Sequence, residues 1–292
     1  MEISEIKQGK HLGGGVVVFE QAVSVNWESL LSFCDSQVEK EHSEMYEPAT
    51  NPETGAPAYV NRSGYIFDQD GINKMPRRSS RSHVEASEEI RSILDRLEDA
   101  RDSHLLAYMH MFPTSYKNIW WKVKGHIVSY SANLGNYLGK HSDTSADYVY
   151  GLPHPSDQLA TRNTVSCVIY LGSCSHHGIE SHFSGGHHYF NYLDIDYCPK
   201  RGDILMFPAN YIATHEVMPV TYGVRYSYLG WYSHGTPNSE VNEEVVDPLR
   251  RPDAARVSTN VYMPDLRQKF VEYLSRVPGG TSSDAYQLAR GN

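Results

Sequence analysis

The chain has 292 residues, enough to bury a full hydrophobic core and only slightly beyond the upper range for one domain. Its 26 basic against 35 acidic side chains leave a formal charge of -9, which argues against broad attraction to nucleic acid or anionic lipid and for a neutral or cationic substrate. No basic leader precedes an apolar stretch, no run of about eighteen apolar residues occurs, and Cys34, Cys167, Cys174 and Cys198 form no C-x-x-C pair. The expectation is a soluble, cytoplasmic protein with reduced thiols.

In chain order, "GGGVVVFEQAV" reads as a glycine turn feeding a buried strand, Val16 to Phe19. In "NWESLLSFC", Asn26 caps a helix with Trp27, Leu30, Leu31 and Cys34 on one face. Residues 47 to 81, rich in Pro, Gly, Asn, Ser and Arg, predict a long irregular excursion. Ser82 and Glu85 fit a capping box for a second helix, in which Ile90, Ile93, Leu94 and Leu97 recur at helical spacing.

After Lys117 the pattern changes. "IWWKVKGHIVSYSA", "TVSCVIYLGS", "HHYFNYL", "GDILMFPA" and "GVRYSYLGWYS" are short, rich in β-branched and aromatic residues, and bounded by turn formers, which predicts a β-sandwich or barrel. The insertion between His141 and Thr164 reads as a surface loop able to cover a site. From Thr236 the chain predicts a charged linker and one last helix, opened by Pro264, packed through Leu266, Phe270 and Leu274 and stopped by Pro-Gly-Gly.

The chemistry starts at "GKHSDTSADY". Residues two apart on a strand face the same side, so His141 and Asp143 can share one target, and an imidazole with a carboxylate makes two-thirds of a two-histidine, one-carboxylate iron(II) site. Alone, H-x-D is weak, and its bland reading is an exposed polar turn. Downstream, "GDILMFPANYIATHEVMPVTYGVRYSYLGWY" supplies His215 to complete the set. It also supplies Arg225, whose fork can hold a ligand carboxylate or form an ordinary salt bridge with Glu216 or Asp203. The histidines at 176, 177, 182, 187 and 188 have no cysteine partner and no H-E-x-x-H helix, so no second metal site is expected, although His187 or His188 can face the pocket. The basic run Met75 to His83 reads as a solvated loop.

The ordered set His141-Ser142-Asp143, His215 and Arg225 resembles the 2-oxoglutarate- and iron(II)-dependent oxygenases and is most similar to their prolyl 4-hydroxylase-like branch. Tyr130, "TVSCVIYLGS" and "FSGGHHYFNYLDIDYCPKRGDILMFPA" strengthen the likeness, which spans roughly Val16 to Tyr232 and is strongest from Tyr130 to Trp231. The resemblance implies an α+β, mainly β fold, a double-stranded β-helix or cupin-like jelly-roll barrel buttressed by helices from the N-terminal part. Residues 1–235 would form one oxygenase domain, with N-terminal support in 1–115 and the β-helix core in 116–235, and 236–292 a C-terminal extension with one helix. It further implies His141, Asp143 and His215 on Fe(II), Arg225 on the C5 carboxylate of 2-oxoglutarate with Tyr130 beside it, O2 as co-reactant and ascorbate as an optional reductant.

Two departures leave the substrate class open: His187 stands where an acidic residue usually follows the Gly-Gly pair, and Arg225 where lysine is frequent. A carboxylate at Asp143, where halogenating relatives carry a small residue, implies hydroxylation or a related oxidation. The expected substrate is a small polar metabolite or natural-product intermediate, neutral or cationic, touching Tyr148, Tyr150, His154, His187 and Trp231. The alternatives are a prolyl or other peptidyl hydroxylase and a non-catalytic metal-binding β-barrel sensor. No nucleic-acid or membrane partner is expected, and the last helix is left open between closing the pocket and pairing two chains.

Overall fold

Four successive apolar residues, Val16 to Phe19, are each at most 1% exposed, because their strand is covered on both faces by the layers that build the barrel. The computed structural model of the chain describes residues 5–61, 66–79, 86–144, 162–175, 182–235 and 260–291. The chain opens with β1 (Lys10–Gly13), β2 (Val16–Phe19), α1 (Trp27–Met45), β3 (Tyr46–Thr50), β4 (Pro57–Asn61), β5 (Ile66–Phe67), α2 (Gln69–Lys74), β6 (Arg77–Ser79) and α3 (Glu88–Met111). The β-rich half follows with β7 (Trp121–Val123), β8 (His126–Ser131), β9 (Leu138–His141), β10 (Asn163–Tyr170), β11 (Cys174–Ser175), β12 (Phe183–Gly185), β13 (His188–Phe190) and β14 (Ile195–Tyr197). It closes with β15 (Ile204–Pro208), β16 (His215–Val217), β17 (Val220–Ser233), β18 (Asn260–Tyr262), α4 (Leu266–Arg276) and α5 (Asp284–Arg290).

These strands curl into the two facing sheets of a double-stranded β-helix, in a mainly β chain with helices against one side. The major sheet runs β1-β2-β15-β10-β17-β12-β11, and the long β17 also carries β8 and β7 along its other edge. The minor sheet runs β14-β13-β16-β9.

Period-two alternation sorts the major sheet into two faces. On β10, Val165, Cys167 and Ile169 face the helices and join Leu94, Leu97, Leu105 and Phe270 in the main core. Val168 and Tyr170 face the barrel interior with Val16, Val18, Leu205, Phe207 and Phe190. Each of these large apolar side chains contributes about 1.5–3 kcal/mol on leaving water.

Asn26 accepts from the Ser29 amide and caps α1 as its sequence predicts. The cap of α3 is Ser87, whose hydroxyl accepts from the Ile90 amide, in place of the Ser82 capping box; Ser82 and Glu85 lie outside the described residues. The excursion at 47–81 is more regular than expected: β3, β4 and β5 form a small antiparallel sheet, and β6 joins β8. Its turn residues separate short strands that few apolar side chains mark. Beyond Pro264 the chain forms two helices where one is expected. α4 buries Leu266, Phe270 and Leu274 in the main core, and α5 follows under a Ser283 cap.

A buried ionic cluster joins α3 to the back of the major sheet. Lys122 Nζ lies 2.7 Å from Glu98, whose other oxygen accepts from the Gly125 amide and from Tyr228. Arg101 is fully buried beside them, and a Cβ on Gly230 would meet its Nη1 at 1.7 Å, so this strand position needs glycine. Among the described residues no helix is long and apolar enough to cross a membrane.

Candidate metal centre

β9 and β16 pair so that His141 stands directly opposite His215, which brings the two ring centroids to 4.3 Å. Asp143 follows two residues later, where the Asn163 side chain donates to its backbone carbonyl and Ser166 on β10 donates to its Oδ2 at 2.5 Å. His141 Nε2 and His215 Nε2 then lie 3.5 and 4.0 Å from Asp143 Oδ1. These separations are long for direct hydrogen bonds and fit ligands that each stand about 2 Å from one shared ion. Among the described residues this is the one His/Cys/Asp/Glu group whose ligand atoms gather, all within 4.8 Å.

The donor set fits a divalent metal in its protonation as well. His141 Nδ1 lies 2.8 Å from the Gly139 carbonyl and His215 Nδ1 2.9 Å from the Ala213 carbonyl. A carbonyl only accepts, so both Nδ1 atoms carry hydrogen and both Nε2 lone pairs face inward. Burial by itself would raise the Asp143 carboxyl, but the His141 and His215 imidazoles beside it and the Ser166 hydroxyl hold it well below the usual carboxylate range. Burial also opposes charge on His141, which Asp143 outweighs to leave it raised; for His215 burial prevails and its pKa is lowered.

Arg225 stands on β17 opposite Tyr130 of β8 and is 2% exposed. Its guanidinium carbon lies 4.9 Å from the Tyr130 ring centre and 5.3 Å from that of Tyr170, and Nε has no hydrogen-bond partner. Neither acidic residue that could have paired with it does so. Asp203 accepts from Tyr197, Lys200 and Gln21, and Glu216 from Asn191. A buried guanidinium without a carboxylate is a seat for an anionic ligand. Gly186 makes room for it: its φ is +60°, and a Cβ there would stand 2.8 Å from Val220 and 3.2 Å from Arg225.

Sequence reasoning did not single out Tyr170 or Ser166, and it left open whether His187 or His188 faces the pocket. Tyr170 Oη lies 2.9 Å from Nδ1 of His188, whose ring centre is 4.6 Å from that of His215 and whose Nε2 is buried without a partner. Burial first, then the charges of His215 and Arg225, keep this imidazole neutral, well below its ordinary pKa. His187, the expected substrate contact, sits instead with Nε2 3.5 Å from Asp196, because successive strand residues face opposite ways and His188 takes the inward position. His182 is engaged by the Ser173 amide and Arg201. Trp231 stands opposite Ser166 across the β10–β17 pair, its ring 5.2 Å from His126. Tyr148, Tyr150 and His154 lie outside the described residues.

Residues 125–233 match the family model of the 2OG-Fe(II) oxygenase superfamily. Three solved structures show likeness. A viral collagen prolyl hydroxylase from Paramecium Bursaria Chlorella virus-1, in its 2OG complex, is 13% identical with a TM-score of 0.44, over 77% of this chain and 98% of that one. A Trichoplax adhaerens prolyl hydroxylase, bound to a peptide of the hypoxia inducible factor oxygen degradation domain, is 15% identical with a TM-score of 0.44, over 76% and 84%. A Pseudomonas putida prolyl-4-hydroxylase is 16% identical with a TM-score of 0.43, over 76% and 94%. No curated protein sequence matches the chain.

Proposed function

The chain carries a 2OG-Fe(II) oxygenase domain at residues 125–233, an enzyme that uses iron(II), 2-oxoglutarate and dioxygen, and from that premise we propose that it hydroxylates, or otherwise oxidises, a C–H bond of a small polar metabolite or natural-product intermediate. Two features together carry the reading: the gathered ligand atoms of His141, Asp143 and His215, and the buried Arg225 with no carboxylate partner among the described residues.

His141 and His215 would hold iron(II) through Nε2 and Asp143 through Oδ1, the backbone carbonyls behind both imidazoles fixing ring orientation. When bound, iron(II) and 2-oxoglutarate supply the oxidising chemistry, in which the keto acid is decarboxylated to succinate and one oxygen atom enters the C–H bond. Arg225 would take the distal carboxylate of the keto acid, and Tyr130 and Tyr170, which flank the guanidinium, would help to fix its orientation. Ser166 keeps Asp143 turned inward. Phe190 and Phe207 pack against the His215 ring and exclude water from one side of the centre. Asp143 occupies the third protein ligand position, which supports hydroxylation or a related desaturation, ring closure or epimerisation over halogenation.

The test is succinate release and oxygen uptake with ferrous iron and 2-oxoglutarate, screened against small polar metabolites and against proline-containing peptides. Turnover coupled to metabolites and lost in His141→Ala is expected. Turnover coupled only to peptides would replace the substrate reading by a peptidyl hydroxylase, and iron binding with no oxygen uptake by any substrate would leave a metal-holding sensor.

A further inference from the structure

The interior wall of the barrel holds a second cation, Arg78, with no ion pair among the described residues. β6 pairs antiparallel with β8, setting Arg77 opposite Ser129, Arg78 opposite Val128 and Ser79 opposite Ile127. Residues opposite one another on paired strands share a face. Ile127 belongs to the helix-side core, and Arg77 on the Ser129 row pairs outward with Glu39 of α1. Val128 belongs with Tyr130 to the interior face, so Arg78 faces inward. Among the described residues no hydrogen bond or ion pair meets its guanidinium, and its charge acts on His126, Tyr130 and His141.

A second group on the same wall also lacks an acceptor. Trp231 Nε1 is buried with no hydrogen-bond partner, and its ring rests 5.2 Å from His126. Trp231 stands opposite Ser166, the residue that holds Asp143, so the indole belongs to the metal end of the barrel. Arg225 lies six residues away along the same strand, roughly 20 Å at the rise of an extended chain. A keto acid held by the triad and Arg225 would run along that stretch; Arg78, on the row of Val128 and Ser227 and so between the rows of Arg225 and Trp231, faces it from the β6–β8 side with His126, the side left for the second reactant.

We propose that Arg78 and the Trp231 indole N–H form a carboxylate seat on the substrate side of the triad, so that the substrate of this oxygenase is a carboxylic acid. The inference rests on the oxygenase reading above and sharpens its substrate class. One fixed positive charge matches a singly charged, planar group: a guanidinium edge meets a carboxylate in two parallel hydrogen bonds, and the indole donates a third. A dianionic phosphate would bring a second charge that this wall does not balance. The overall charge of -9 suggested a neutral or cationic substrate, but half-buried Arg78 gives the wall beside the triad the opposite sign, and a local charge facing the ligand outweighs distant, screened ones. An amino acid, carrying both signs, meets both conditions.

The test uses a panel of α-amino, ω-amino and aryl carboxylic acids, each beside its primary amide. Succinate release with ferrous iron and 2-oxoglutarate is measured first, then binding by calorimetry to the anaerobic nickel-substituted protein with 2-oxoglutarate present. At least one acid is expected to couple and bind, with its amide at least tenfold weaker. Arg78→Met should weaken the acid tenfold or more while 2-oxoglutarate still binds within twofold. Arg78→Lys should recover part of the loss, and Trp231→Phe should weaken the acid severalfold. Amides equal to acids, an acid bound as tightly by Arg78→Met, or no acid bound at all would each overturn the seat. Failure of the unaltered protein to bind 2-oxoglutarate would overturn the oxygenase reading itself, and the seat with it.

Discussion

Tyr170 and His188 face each other across the barrel interior, hydroxyl to Nδ1 at 2.9 Å, on strands from different sheets. The pair lies between the triad and Arg225, since the His188 ring adjoins His215 and the Tyr170 ring adjoins the guanidinium. Tyr170→Phe leaves a buried imidazole nitrogen without its partner, which costs about 1–3 kcal/mol. The expected result is a fall of that size in unfolding free energy by urea titration and weaker 2-oxoglutarate binding by calorimetry. Unchanged values for both would show that the contact does no work.

Arg225 makes the opposite prediction for stability. It is buried with the Tyr130 and Tyr170 hydroxyls beside it and no carboxylate partner among the described residues, so Arg225→Met removes a charge without a counterion among them and should raise the melting temperature of the ligand-free protein. The same variant should lose the further rise that manganese with 2-oxoglutarate gives the unaltered chain. Thermal unfolding with and without the pair reads both effects. A destabilised ligand-free variant would mean that Tyr130 and Tyr170 already compensate the guanidinium.

Ser166 would act on a bound metal through Asp143. Ser166→Ala removes the 2.5 Å hydrogen bond that orients the carboxylate, and loss of such a partner behind a ligand typically lowers metal affinity about 10- to 100-fold. Competition with a fluorescent chelator for manganese measures it. Ser166→Thr keeps the hydroxyl and should recover most of the affinity.

Acid sensitivity should begin at His104. Its Nδ1 lies 2.7 Å from the Ala100 carbonyl while Nε2 accepts from the Lys7 amide, so the buried ring is held neutral, and burial brings its pKa down to about 4 from 6.5. Between those values the unfolded chain binds the proton and the folded chain does not. Stability from this group is therefore complete above pH 6.5 and is lost as pH falls toward 4, by roughly 3 kcal/mol at most. Protonation also removes the acceptor of the Lys7 amide, so hydrogen exchange at Lys7 should quicken in the same interval. His104→Gln should flatten the pH dependence there.

What the sequence determined by itself was the local grammar and the ligand pattern. The apolar run of β2, the Asn26 cap, the helical spacing of Ile90, Ile93, Leu94 and Leu97, and the period-two placement of His141 and Asp143 are all short-range, and backbone geometry translates them directly. His215 and Arg225 were legible as types in order along the chain. Tertiary structure alone decided which way strands faced and what met across the barrel. Alternation could not say whether His187 or His188 faced inward, because pairing of β13 with β16 sets that choice. Arg78, in a stretch that read as irregular, became an interior cation only when β6 joined β8. The Glu98, Arg101 and Lys122 cluster looked like ordinary charge on a helix and its neighbouring strand until the sheet closed over it. Burial and strand register are properties of packed layers, and no window of neighbouring residues contains them.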